Sequence, residues 1–199
     1  MALFIPFESE IEVSGNAVPS ILDGFSVLKS IPTQIMLDHG LGRLNSSGKW
    51  ELDKSAWYPQ AAWLAALEVL FKKLGEGVLF QIGRQIPKNA VFPPWVKDIH
   101  SAIRAVNVAY HVNHRKRGVV MFNASTGKML DGIGHYGYEA VSGHSEIISD
   151  CRLPYPRAYA HGVLTTMAHR FESLATVESQ SPPSRDDQAT GRCIFRIRF

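Results

Sequence analysis

The last seven residues, Cys193-Ile194-Phe195-Arg196-Ile197-Arg198-Phe199, alternate apolar and polar side chains. In an extended chain successive side chains point to opposite faces, so Cys193, Phe195, Ile197 and Phe199 share one face and Arg196 and Arg198 the other. A strand with one buried face at the C-terminus needs a sheet to pair with and a layer of other elements to cover it. The helical periodicities upstream supply that layer. Tyr159, Val163, Met167 and Phe171 recur four apart between Pro156 and Phe171, with Arg157, His161, Thr165 and His169 on the opposite side.

Further helices are legible at the same spacing. Val18, Ile21, Leu22, Phe25 and Leu28 predict one, with Asn16 as N-cap, and Thr33 to Asp38 a second that ends at Gly40. Pro59 opens a third, whose stripe is Trp63, Leu67, Leu70 and Leu74, closed by Gly75. A short helical segment follows over 77–86. From Trp95 to His114, Ile99, Ile103, Val106 and Tyr110 form an apolar stripe, and His100, Arg104, Asn107, His111 and His114 are assigned to the other face, ahead of a basic cap Arg115-Lys116-Arg117. Beyond Gly118 the period changes to two. Runs over 119–123, 128–133, 136–141 and 146–151 predict a meander, and 175–179 with 192–199 a closing hairpin.

A chain of 199 residues with 45% hydrophobic and 20% charged residues reads as one globular domain. That length buries about 70% of the unfolded surface without staples. The expected organisation is a single ligand-binding domain over 1–199, with an N-terminal extension at 1–15 and a flexible hairpin loop at 181–191. A net charge of +3 with dispersed cations argues against nucleic acid as a partner. Two cysteines suit reduced thiols in a cytoplasm rather than a disulfide scaffold. The first residues carry no secretory signal pattern, and no apolar run approaches the roughly 20 residues of a membrane span.

Three segments carry a resemblance: Trp57-Tyr58-Pro59-Gln60-Ala61-Ala62-Trp63-Leu64, Val108-Ala109-Tyr110-His111-Val112-Asn113-His114-Arg115, and Pro154-Tyr155-Pro156 to Gly162 with the terminal strand. Together they resemble bacterial 4-vinyl-reductase-type domains, within the superfamily of ligand-binding domains in nitric-oxide signalling and Golgi transport. The resemblance implies an α+β fold with helices packed on one antiparallel sheet around an apolar pocket, as in haem-NO-binding and TRAPP-like domains. It also implies a homodimer and relay of binding to a protein partner. Zinc-bearing relatives place thiolates and a Glu near the final hairpin. Here Arg157, Ser181 and Ser184 stand where thiolates are needed, leaving Glu178, Cys193 and Cys151 as weak candidates, so no metal is expected there.

His111 and His114 lie three apart, a spacing able to place two imidazoles on one metal. Their simpler role is solvated or capping at a helix C-terminus. Tyr136, Tyr138, Tyr155 and Tyr159 join apolar area to a hydroxyl, which suits a pocket gripping an aromatic or lipid-like compound. No nucleophile elbow, phosphate loop or His-Glu-x-x-His is present. The expectation is therefore a cytoplasmic, non-enzymatic sensor or carrier that binds a small apolar or aromatic molecule without a cofactor. Its ligand-binding residues would be Trp63, Leu67, Tyr110, His111, His114, Tyr136, Tyr138 and Tyr155. The alternative is a haem or metal sensor using His111 or His114, and a third is an enzyme with no residue set to name.

Overall fold

In the computed structural model, residues 4–19, 21, 30–180 and 190–199 are described. Most of the expected helix over 18–28 and most of the 181–191 loop, with Ser181 and Ser184, lie outside these residues. Among the described residues five α-helices follow in chain order: α1 (Ser30–Asp38), α2 (Gln60–Leu74), α3 (Glu76–Gln85), α4 (Ile99–Val112) and α5 (Arg157–His169). Pro32 sits inside the first turn of α1, where its missing N–H has no helical acceptor to lose. At the start of α4, the Asp98 side chain accepts from the Ser101 backbone N–H at 2.7 Å, closing a capping box.

The expectation of one sheet is corrected. Two four-stranded antiparallel sheets form, with two small two-stranded ones beside them: β2 (Arg43–Leu44) with β3 (Trp50–Glu51), and β7 (Phe122–Asn123) with β8 (Lys128–Met129). The first large sheet has the order β4-β1-β5-β6, built from β1 (Ile11–Ser14), β4 (Trp57–Pro59), β5 (His114–Lys116) and β6 (Val119–Val120). Residues 11–14 thus pair on both edges. The basic run after α4 is strand rather than helix cap, because acids spaced two apart meet it: Glu12 pairs with Arg115 at 2.5 Å, Glu8 with Lys116, and Glu10 with Arg117 at 2.7 Å. Exposed pairs of this kind stabilise by at most about 1 kcal/mol each, so they set register more than stability.

The second large sheet has the order β11-β12-β10-β9, with β9 (Glu139–Ala140), β10 (Glu146–Arg152), β11 (Thr176–Ser179) and β12 (Arg192–Arg198). The C-terminal strand is internal: Phe195 faces Ser149 and Ser179, and Ile197 faces Ile147 and Val177. Phe195 and Ile197 are fully buried. Alternation places Arg196 and Arg198 on the outer face, where both pair with Glu146.

Helices α3 and α5 approach almost backbone to backbone. A Cβ on Gly83 would stand 2.1 Å from the Tyr159 carbonyl oxygen, and one on Gly162 would stand 2.2 Å from that of Phe80. This reciprocal glycine contact fixes how far Tyr159 reaches into the interior. Trp63, Leu64, Leu67 and Leu70 of α2 fill the core, while Leu74, at the end of the same stripe, is 44% exposed.

Candidate functional site

A cavity of about 750 Å³ opens between α4, α5, the start of α2 and the segment 86–95. Its size falls within the range typical of small-molecule sites, about 300–1,000 Å³. Of the residues expected to bind ligand, Trp63, Tyr110, His114, Tyr136 and Tyr155 line it. Leu67 is buried in the core and is not part of the lining. Tyr138 is turned elsewhere: its hydroxyl meets His100 Nδ1 at 2.9 Å and Arg104 Nη2 at 3.1 Å, and the guanidinium of Arg104 lies over its ring.

The two histidines expected on the helix are not solvated. His111 and His114 are each 3% exposed. α4 ends at Val112, and His114 opens β5, where it pairs with the buried Val13 and is itself buried. The Nδ1–H of His111 donates to the Asn107 carbonyl at 2.8 Å, and His111 does not line the cavity. Burial lowers its pKa.

His114 is the polar centre of the cavity wall. Its Nδ1 lies 2.7 Å from the Tyr110 carbonyl, which can only accept, so this nitrogen carries the proton. Nε2 then bears the lone pair and accepts from the Tyr155 hydroxyl at 2.8 Å. Tyr155 in turn accepts from the Gln60 side-chain amide at 3.2 Å. Gln60 Oε1 is buried and has no partner among the described residues. The chain of donors therefore runs in one direction, from Gln60 through Tyr155 and His114 to the Tyr110 carbonyl, and leaves one spare acceptor, Gln60 Oε1, at its start.

Burial holds the His114 imidazole neutral, lowering its pKa from 6.5 to about 4. The phenols of Tyr110, Tyr136, Tyr155 and Tyr159 are pushed upward by the same cause and remain donors. A pH dependence follows. Unfolded, His114 binds a proton as pH falls through 6.5, while the folded chain resists until about 4. Stability contributed by the neutral imidazole is complete above pH 6.5 and is lost progressively down to about pH 4, reaching roughly 3 kcal/mol. Denaturant titrations between pH 7 and pH 4 should show this slope in the wild type and a shallower one in His114→Gln. Equal slopes would remove the assignment of a buried neutral imidazole.

Gln60 escaped the sequence reading of the site, and Tyr159 was named among the pocket-suited tyrosines but not among the ligand-binding residues. Gln60 lies on the same helical stripe as Trp63 and Leu67, and a polar residue on an apolar stripe was the available signal. Tyr159 lines the cavity and stacks on Tyr155 with ring centroids 5.1 Å apart. The weak metal candidates do not converge. Cys151 and Cys193 are direct cross-strand partners on the buried face, whereas Glu178 is exposed on the other face and pairs with Arg198 at 3.0 Å. Among the described residues no group of three or more His, Cys, Asp or Glu could hold a metal ion. No helix among them is long and apolar enough to cross a membrane.

No protein-family model and no curated protein matches the chain. Solved structures do. A domain from work probing haem distortion in the H-NOX family matches at TM-score 0.61 and 13% identity, covering 93% of this chain and 92% of that one. The Fe(II) unliganded H-NOX protein of K. algicida matches at 0.59 and 12%, over 93% and 95%. An oxygen-binding H-NOX domain related to soluble guanylate cyclases, in its oxygen complex, matches at 0.55 and 15%, over 93% and 92%. At such identities the likeness establishes the fold alone: this is an α+β chain with the fold of these H-NOX domains. The 4-vinyl-reductase and TRAPP-like parts of the resemblance gain nothing from these neighbours. The expectation of a pocket without a cofactor is overturned, because the solved domains sharing this fold are described by their haem or its iron.

Proposed function

We propose that this chain is a haem-holding gas-sensor domain in which His114 would hold the iron. The observation that supports it is the state of His114: a buried, neutral imidazole on the wall of an apolar cavity, with Nδ1–H fixed on the Tyr110 carbonyl and the Nε2 lone pair held only by the Tyr155 hydroxyl. Metal-ligating histidines are oriented by such a second hydrogen bond. Bound haem would supply an iron centre that takes up a small gas, with selectivity set by the polarity of the surrounding pocket.

The rest of the site serves His114. Using Nε2 as a ligand requires Tyr155 to give up its hydrogen bond there, and the spare acceptor Gln60 Oε1 can receive the same hydroxyl once its amide turns. Trp63, Tyr136 and Tyr159 exclude water and shape the apolar wall. Relay to a partner protein and pairing of two copies belong to the same proposal.

His114→Gly should bind haem at least about tenfold more weakly than the wild type, and added imidazole should restore the visible spectrum of the complex. Unchanged affinity and spectrum in that variant would contradict the role given to His114.

A further inference from the structure

We infer that a cationic cleft adjoining the cavity is an anion subsite, so that the ligand filling the cavity carries a carboxylate. The cleft, about 300 Å³, lies between the C-terminal ends of α3 and α5. Arg84, Lys88, His169 and Arg170 line it, and no Asp or Glu does so among the described residues. Pro87 and Met167 line both the cleft and the cavity, so the two share a wall. Arg170 lies over the ring of Phe92, itself a cavity residue, with 5.0 Å between guanidinium carbon and ring centroid.

Cations at helix C-termini are favourable on their own account. Two further facts go beyond that. The Nε–H of Arg84 is buried and has no acceptor among the described residues, a cost that an oxyanion in the cleft would remove. Arg84, Lys88 and Arg170 also form no ion pair among the described residues, although most cations on the sheets do. Three unneutralised cations beside a cavity whose lining holds no acid suit a ligand with an apolar body and an acidic edge. Arginine's fork favours a carboxylate bound through two oxygens.

The inference rests on the haem reading only in its choice of probe. Metal-free protoporphyrin IX and its dimethyl ester, titrated by fluorescence at pH 7, differ only in the carboxylates. The wild type should bind the diacid about tenfold more tightly than the ester, and Arg84→Gln/Arg170→Gln should lose that difference while keeping the ester affinity. Equal affinities in the wild type would overturn the subsite while leaving haem binding through His114 intact. If the double variant fails to fold, exposed Lys88→Gln should still narrow the ratio, and a ratio unmoved by it and by salt would overturn the subsite equally. If neither metal-free porphyrin binds, the haem reading is decided separately by titration with haem itself, and the same comparison of dodecanoate with dodecanol decides the subsite: discrimination supports it and its absence sinks it.

Discussion

Gly83→Val should destabilise the chain by about 3 kcal/mol or more and loosen the ligand cavity with it. The helical positions that meet here have no side chain to move aside. Any Cβ at residue 83 points at the Tyr159 carbonyl 2.1 Å away, and the atom in its way is backbone. Relief requires α3 and α5 to separate. Tyr159 stands on the separating face, so the stacking of Tyr159 on Tyr155 should be disturbed too. Gly162→Val meets the Phe80 carbonyl in the same way and should behave alike. Urea unfolding of the two variants reads the first effect, and near-ultraviolet circular dichroism of the tyrosine cluster reads the second. Wild-type stability in either variant would show that the helices do not depend on this approach.

Phe195→Ala should cost about 3–5 kcal/mol, from lost transfer energy and the cavity left behind. Phe195 is fully buried on an internal strand and lies beside the tilted His161 ring, with centroids 5.7 Å apart. Backbone pairing on both edges holds β12 in place, so the neighbours have little freedom to collapse into the space. An unfolding midpoint unchanged by the substitution would contradict the placement of this strand.

Much of the architecture was legible because its signals are local. The alternation of 193–199 placed the last strand and its buried face, and the four-residue stripes placed α2, α4 and α5. The division into two sheets was not legible, since it depends on β1 meeting β5 across about a hundred residues of chain. The acids Glu8, Glu10 and Glu12 and the cations Arg115, Lys116 and Arg117 were visible, but nothing local says that they face one another. The site was legible in part. Trp63, Tyr110, His114, Tyr136 and Tyr155 come together in the cavity wall, whereas Tyr138 turns to His100 and Arg104. His114 was assigned to the outer face of a helix, whereas α4 ends at Val112 and residue 114 opens β5 with its side chain buried. Its neutrality, and with it the case for haem, follows from burial, which spacing alone does not report.

The central claim is tested most directly by titrating haem into the purified chain and following its visible absorbance, with His114→Gly titrated alongside. The account predicts saturation at one equivalent in the wild type, and in the variant a weaker complex whose spectrum returns towards the wild type on adding imidazole. A wild-type chain that takes up no stoichiometric haem, or a variant that takes it up with the same spectrum and affinity, would contradict it.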